Sequence, residues 1–158
     1  MIIALLLVAA SAQAAATAAT FTTQTYPLLG NTHVAADLNG DGRVDLAGSG
    51  VNSATVMLNN GDGTFRPRVE YPAAGQAQDV AAGDFNGDGR TDLAITIYTA
   101  QISLSLLTGN GDGTFQAPVN VPNTSGADSP SIVATDLNND GNLDVAIAHA
   151  LACFSAPC

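Results

Sequence analysis

Lysine is absent from this chain of 158 residues, and four arginines carry all of its formal positive charge. Nucleic-acid-binding domains neutralise many phosphates with clustered Lys and Arg side chains, so this composition excludes a nucleic-acid partner. The formal net charge is −10. Nine of the fourteen acidic residues fall in three short loops, so the negative charge is concentrated there rather than spread over the surface.

Residue groupings that would indicate an active site are also missing. His33 and His149 stand alone, one at the beginning and one at the end of a predicted strand. Gly48-Ser49-Gly50 lacks the Gly-x-Ser-x-Gly spacing of a nucleophile elbow and is not followed by a helical pattern. We therefore predict that the chain is not an enzyme and has no catalytic residues.

A long hydrophobic run occurs only at the N-terminus, where residues 2–10 are apolar and small residues follow. The run is too short to span a membrane, and Ala12-Gln13-Ala14 offers a cleavage site. Residues 1–16 are therefore predicted to be a secretory signal peptide, although no positive charge precedes the run; the alternative is a buried segment. A signal peptide implies a secreted or cell-surface protein whose mature chain has no membrane span.

The chain has two cysteines, Cys153 and Cys158, which lie close together near the C-terminus. An extracytoplasmic setting would allow a disulfide between them. Two free thiols are the alternative, and the spacing alone leaves both open.

The most informative feature that the sequence does contain is one nine-residue pattern present three times. Each copy has oxygen-bearing side chains at positions 1, 3, 5 and 9, and glycine at position 6. Residues at positions 1, 3, 5, 7 and 9 are Asp37, Asn39, Asp41, Arg43 and Asp45 in the first copy, Asp84, Asn86, Asp88, Arg90 and Asp92 in the second, and Asp136, Asn138, Asp140, Asn142 and Asp144 in the third.

This pattern predicts a calcium site in each loop, with position 7 contributing its backbone carbonyl. Calcium takes 6–8 oxygen ligands in flexible geometry, whereas magnesium demands a tighter octahedron and ranks second. Zinc is excluded because no loop contains Cys or His. A plain polar turn would also use Asp, Asn and Gly, but three mutually repelling carboxylates in each of three copies favour a cation. About three structural Ca²⁺ ions would reduce the net charge to about −4.

The loops are not EF-hands, because that motif requires a bidentate Glu at position 12. Position 12 is Gly48, Ile95 or Ile147, and each loop leads into an alternating apolar stretch that is typical of a strand.

The repeat period predicts the architecture. The loops begin at Asp37, Asp84 and Asp136, 47 and 52 residues apart, and an Asn-Gly-Asp-Gly-Thr-Phe turn ends at Phe65 and again at Phe115. A period near 50 residues is typical of propellers or arrays. Each repeat contains four short strand patterns, the last expected to begin at the Thr of the turn, which is the anatomy of a propeller blade.

The fold class predicted is therefore all-β, with propeller blades of four antiparallel strands. Blade 1 is assigned to residues 32–76, blade 2 to 77–129, and an incomplete blade 3 to 130–158. Residues 17–31 contain an orphan outer strand, Phe21–Pro27. About two and a half blades are present, so we expect the chain to be a fragment of a larger propeller.

The loops and the Gly-Asp-Gly-Thr-Phe turn, at this period, resemble the FG-GAP/VCBS repeat family, whose blades also form the integrin α-subunit propeller. The resemblance covers about residues 21–150. It implies calcium held by the loop between the first two strands of each blade, and a propeller of about seven blades. The Phe-Gly and Gly-Ala-Pro signatures that name the repeat are degenerate in this sequence.

Two functions remain open at this point. The first is a secreted calcium-binding module for protein or glycan binding or cell adhesion, in which the metal is structural. The alternative is an accessory propeller of a larger secreted enzyme, for example one acting on polysaccharide, whose catalytic part is not in this sequence. A repeat with no ligand of its own is a third possibility. Open blade faces also predict self-association.

Overall fold

The computed structural model describes residues 5–10, 21–26, 30, 32–99, 102–122 and 128–150. These residues form strands, turns and bends and no helix, as the all-β prediction requires. No helix in this part of the chain is long and apolar enough to cross a membrane.

Twelve strands occur in the described residues. The first six are β1 (Leu5–Ala10), β2 (Phe21–Tyr26), β3 (His33–Ala36), β4 (Asp45–Ser49), β5 (Ser53–Met57) and β6 (Val69–Pro72). The second six are β7 (Gln76–Gly83), β8 (Asp92–Tyr98), β9 (Ile102–Leu107), β10 (Val119–Pro122), β11 (Asp128–Thr135) and β12 (Asp144–Ala150).

The strands pair in sequence order to form two complete blades. Strands β3 to β6 form one four-stranded antiparallel sheet (blade 1), and β7 to β10 form another (blade 2). Strands β11 and β12 form a two-stranded antiparallel sheet, and so do β1 and β2. The predicted antiparallel blades of four strands are confirmed.

The fourth strand of each blade is shorter than predicted. The sequence placed its start at Thr64 and Thr114, whereas Phe65 and Phe115 each form only an isolated bridge before β6 and β10 begin. A proline, which has no N–H to donate to the ladder, lies in each gap. The outer strand is therefore interrupted and then resumes.

The hydrophobic core lies between the two complete blades. Blade 1 contributes Leu38, Ala47 and Val56 to it, and blade 2 contributes Leu93 and Ile95. The central strands are buried on both faces: every residue of β4 and β5 is buried, as is β8 up to its penultimate residue. Blades are thus covered on both faces, as expected for sheets stacked face to face.

The first strands of successive units pack on one another. Strand β7 contacts β3 and β4, and β11 contacts β7 and β8. This is the arrangement of inner strands around a propeller axis. The described blades cover part of such a ring and do not close it.

Strand β1 lies within the segment that the sequence assigned to a signal peptide. It pairs with β2 in antiparallel register, with Leu5 opposite Tyr26 and Ala10 opposite Phe21. The cleavage site at residues 12–14 lies outside the described residues. The signal peptide stays a prediction.

Candidate functional site

Each predicted metal loop is organised by the carboxylate at position 1. The three loops are called loop 1 (from Asp37), loop 2 (from Asp84) and loop 3 (from Asp136). Asp37 Oδ1 accepts a hydrogen bond from the N–H of Gly40 (2.8 Å), and its Oδ2 accepts one from Gly42 (2.8 Å). Asp84 accepts the matching pair from Gly87 and Gly89. The hydrogen bond from the backbone N–H of the glycine at position 6 is the main cause that lowers the pKa of this carboxyl in both loops.

The side chains at positions 3 and 5 close the loop beside position 1. In loop 1 the N–H of Asp41 donates to Asp37 Oδ1 (3.2 Å) and to Asn39 Oδ1 (3.0 Å). Asn39 Nδ2 donates to Asp41 Oδ2 (3.0 Å), and so does Arg43 Nη2 (2.8 Å). The side chains at positions 1, 3 and 5 are therefore gathered within one hydrogen-bonded loop.

Loops 2 and 3 repeat this geometry, but position 7 is an arginine in loops 1 and 2 and an asparagine in loop 3. In loop 2 the guanidinium of Arg90 donates to Asp88 at 2.7 Å and lowers the pKa of that carboxyl. Loop 3 has Asn142 in place of arginine, and its amide donates to Asp140 Oδ1 at 3.0 Å. The side chain at position 7, which the sequence assigned only a carbonyl role, thus supports position 5 in each loop.

The aspartate at position 9 accepts hydrogen bonds from backbone N–H groups. Asp45 accepts hydrogen bonds from the N–H of Leu38 (3.0 Å) and from the N–H of Asn59 (2.7 Å). Asp92 likewise accepts the N–H of Phe85 (3.1 Å) and of Gly109 (2.8 Å). This residue ties the metal loop to the end of the third strand of its own blade, a role that was not predicted.

Asp144, at position 9 of loop 3, accepts the N–H of Leu137 at 2.9 Å. Unlike Asp45 and Asp92, which are buried, it is half-buried.

The donor set fits a hard cation. No three acidic, histidine or cysteine side chains in the described residues gather closely enough to hold a metal ion by themselves. Positions 1, 3 and 5 do lie together, and their carboxylate and amide oxygens retain lone pairs beyond those used in the hydrogen bonds above. Such oxygens suit Ca²⁺, and the loops contain no nitrogen or sulfur ligand of the kind zinc prefers.

Loop 1 also contacts blade 2. Thr91, directly before Asp92, donates its hydroxyl to the backbone carbonyl of Asp37 at 2.8 Å. Within blade 1, the side chain of Arg43 covers Gly61, where an added Cβ would lie 3.1 Å from Arg43 Cδ. A metal loop is therefore joined to the turn of its own blade and to the following blade.

A tyrosine latch, defined here as a strand-end tyrosine packed on the phenylalanine of the following Gly-Asp-Gly-Thr-Phe turn, occurs twice. Tyr26 packs edge-to-face on Phe65 with ring centroids 4.9 Å apart, and Tyr71 packs on Phe115 at 5.3 Å. The hydroxyl of Tyr26 donates to Gly63 O, and that of Tyr71 to Gly113 O. The phenylalanine of each turn is therefore a packing residue.

A cavity of 370 Å³ lies between blades 1 and 2. Its lining combines an apolar wall with polar side chains: Val56, Leu58, Pro67, Val69 and Tyr71, and Arg66, Asp112 and Thr114. The volume is within the range of small-molecule sites. Thr114 donates its hydroxyl to Asp112 Oδ1 (2.6 Å), which lowers the pKa of Asp112.

His33, which the sequence analysis singled out, lies outside these sites. His33 is half-buried, and its Nδ1 hydrogen-bonds with the carbonyl of Thr32. His149 lies in β12, and its side chain, like Cys153 and Cys158, is outside the described residues.

Comparison with known proteins agrees with this geometry. Residues 37–95 and 84–147 each match the sequence model of the FG-GAP-like repeat. No curated protein matches the chain. A lectin from Agrocybe aegerita, whose structure is described as the basis of specific recognition of non-reducing terminal N-acetylglucosamine, is similar with 29% identity and a TM-score of 0.57.

The similarity to that lectin covers 73% of this chain and 31% of the lectin chain, so this chain spans about a third of the lectin's length. The two repeat matches begin at position 1 of loops 1 and 2, and together they include all three loops. With matching loops, turns and four-stranded blades, this chain belongs to the FG-GAP-like repeat family.

Proposed function

We propose that this chain is a calcium-binding repeat module that binds a glycan in the cavity between its two complete blades. The cavity carries the proposal, because it joins an apolar wall to convergent polar groups in a volume that suits a sugar residue. The similarity to a lectin supports a glycan rather than a protein as the first ligand to test.

The lining of the cavity matches the chemistry of a pyranose. A sugar ring presents a C–H face that packs on apolar and aromatic surface, which Val69 and Tyr71 offer. Its hydroxyl and acetamido groups need acceptors and donors, which the Asp112 carboxylate and the Arg66 guanidinium provide. Hydrogen bonds to charged groups are the stronger class, so these two side chains should contribute most to affinity.

Calcium has a supporting role in this proposal. In loop 2 the ion would be held by oxygens of Asp84, Asn86 and Asp88 with the carbonyl of Arg90, while Asp92 keeps its backbone contacts and offers its remaining lone pairs. It would neutralise the clustered carboxylates and stiffen the loop. Because Asp92 also holds Gly109, at the start of the turn that forms one cavity wall, a firm loop positions that wall.

We place this module outside the cytoplasm, as a secreted or cell-surface protein with an adhesion or binding role. Exposed calcium sites of extracellular modules bind at about 10⁻⁴–10⁻³ M, so they fill only where calcium is abundant. The apolar segment at residues 2–10 supports export.

Calorimetric titration with an N-acetylglucosamine-terminated oligosaccharide tests the proposal. Asp112→Ala removes a charged acceptor, so we expect affinity to fall about tenfold or more, which corresponds to about 1.4 kcal/mol. Asp62→Ala is the matched control: Asp62 occupies the same place in the first turn and makes the same contacts with Thr64, yet does not line this cavity.

An equal loss of affinity in both variants would show that the turn, and not the cavity, matters. If neither this oligosaccharide nor any sugar on a glycan array binds the calcium-loaded wild type, the glycan proposal is wrong.

A further inference from the structure

Arg66 differs from the other three arginines of the chain in its ionic contacts. Arg43 and Arg90 each pair with the aspartate at position 5 of their own loop, and Arg68 pairs with Glu70. Within the described residues, the guanidinium of Arg66 forms no ion pair. A cation without an acidic partner is unexpected in a chain whose formal net charge is −10.

The position of Arg66 places this charge at the cavity between blades 1 and 2. Its backbone N–H donates to Leu58 O at 2.7 Å, in the gap where the outer strand of blade 1 is interrupted. Arg66, Leu58 and Tyr71 all line the cavity. Because Arg66 is exposed, a ligand in the cavity can reach the guanidinium without displacing an acidic side chain of the described residues.

The repeat itself does not require a charge at this place. Gln116 follows Phe115 in blade 2 as Arg66 follows Phe65 in blade 1. The N–H of Gln116 donates to Thr108 O at 2.8 Å, which matches the backbone contact of Arg66. The outer strand therefore forms equally with an uncharged side chain, and the guanidinium of Arg66 is available for a ligand.

Asp112 gives the cavity a second charge, of opposite sign. Its carboxylate accepts hydrogen bonds from the N–H and the hydroxyl of Thr114, and no ion pair joins it to Arg66 in the described structure. The cavity thus has an anion on the blade 2 wall and a separate cation on the blade 1 wall. A ligand with one negative group would bind in one orientation, with that group at Arg66 and away from Asp112.

We propose that the cavity prefers a sugar that carries a carboxylate, a hexuronic acid, whose carboxylate pairs with Arg66 while a ring hydroxyl donates to Asp112. A guanidinium presents a planar fork of donors that matches a carboxylate at two points, so it distinguishes this group from a hydroxyl. The inference rests on the proposed glycan function and names the substrate class of the same cavity.

Calorimetric titration of the calcium-loaded full chain tests the inference with two matched ligands. One is an oligosaccharide that ends in glucuronate, and the other is its carboxyl-reduced counterpart, in which a hydroxymethyl group replaces the carboxylate. At low salt we expect the acidic ligand to bind about fivefold more tightly, as an exposed ion pair allows. Added sodium chloride should reduce this preference, because exposed charges are screened.

Arg66→Gln connects the preference to one side chain. It introduces the residue that blade 2 has at the equivalent place, so the outer strand should still form. We expect this variant to bind the acidic and the reduced ligand with about equal affinity. Arg68→Gln is the matched control, since it removes the same charge two residues away, from a side chain that pairs with Glu70 and does not line the cavity. Its preference for the acidic ligand should remain.

The outcomes separate this inference from the glycan proposal. Equal binding of both ligands to the wild type would overturn the uronate preference and leave the glycan function standing. The same loss of preference in both variants, or no loss in Arg66→Gln, would overturn the role of Arg66. Tighter binding of a sulfated but uronate-free oligosaccharide would overturn the choice of a carboxylate. If no glycan binds, the proposed function and this inference are both wrong.

Discussion

The aspartate at position 9 shows how one residue type serves two purposes in these repeats. A calcium-loop pattern explains an acid at this position by coordination, but Asp45 and Asp92 are buried and give both oxygens to backbone N–H groups. These amides belong to two segments that no backbone ladder joins. The carboxylate therefore works as a buried link between the loop and the third strand.

Asp92→Ala is expected to destabilise the protein by about 2–6 kcal/mol. The change leaves the N–H groups of Phe85 and Gly109 without their acceptor, and each unsatisfied buried donor costs about 1–3 kcal/mol. Urea unfolding, followed by circular dichroism, measures the loss. Asp144→Ala is the control, with a smaller expected loss because Asp144 is half-buried and its contact is with Leu137 N–H. A larger loss for Asp144→Ala than for Asp92→Ala would contradict this role.

Acid should loosen the loops through the carboxylate at position 1. Hydrogen bonds from the glycine at position 6 hold the pKa of Asp37, Asp84 and Asp136 below the usual 3.8. Because the folded pKa is lower than the unfolded one, these contacts stabilise the fold fully above pH about 4 and are lost as pH falls through the folded pKa.

Thermal melts between pH 6 and pH 2.5, in chelator, measure this loss. Asp84→Asn cannot titrate, so its melting temperature should fall less steeply with acid than that of the parent. Glu70→Gln, at an exposed side chain that pairs with Arg68, serves as the control and should follow the parent. Parallel curves for Asp84→Asn and the parent would count against the loop carboxylate as an acid-sensitive group.

Among whole elements, the Gly-Asp-Gly-Thr-Phe turn sets the spacing between blades. Gly63 and Gly113 are equivalent, with φ of +87° and +85°. A Cβ on Gly63 would meet no atom within 4 Å, whereas a Cβ on Gly113 would lie 2.6 Å from Leu58 Cδ1 of blade 1. The second turn is therefore packed against its neighbour as well as conformationally constrained.

Gly63→Ala should lower the free energy of unfolding by about 1–2 kcal/mol, because alanine is strained in the left-handed backbone conformation. Gly113→Ala should cost about 1–3 kcal/mol more, because Leu58 must move in a packed interface. Unfolding of the two variants in urea isolates the difference, since the backbone strain is common to both. Equal losses would show that the blade interface tolerates the added methyl.

Elements that repeat in the sequence were the ones that could be predicted. The loops and turns fixed the four-stranded blades because Gly, Asn and Asp at set positions demand particular turns. The predicted start of the fourth strand was wrong, because Pro67 interrupts the strand where the alternating pattern suggested continuity. The latch was missed, although the recurrence of Tyr-Pro at residues 26–27 and 71–72 signalled it.

At the scale of the whole molecule, the cavity could not be predicted because its wall comes from two blades. Arg66 and Asp112 are far apart in sequence and line one cavity only because blade 2 stacks on blade 1. The hydroxyl of Thr91 on the carbonyl of Asp37 is likewise a contact between blades. Sequence periodicity identifies each blade, whereas the site depends on how one blade is placed on the next.

Calcium should stabilise the whole fold, because the net charge of −10 is concentrated in the loops that the ions would fill. With sites near 10⁻³ M, 10 mM calcium should add about 1.4 kcal/mol per site, or about 4 kcal/mol for three. At this chain length that corresponds to a rise in melting temperature of about 10 °C relative to chelator. Calorimetric titration should count about three sites.

Two controls separate coordination from screening of charge. Sodium chloride at the same ionic strength should raise the melting temperature much less than calcium, and magnesium should fall between them because it dehydrates reluctantly. Asp88→Ala removes the position 5 ligand of loop 2 and should lose about a third of the calcium effect. If sodium chloride matches calcium, or Asp88→Ala responds to calcium like the parent, the loops are polar turns held by their own hydrogen bonds.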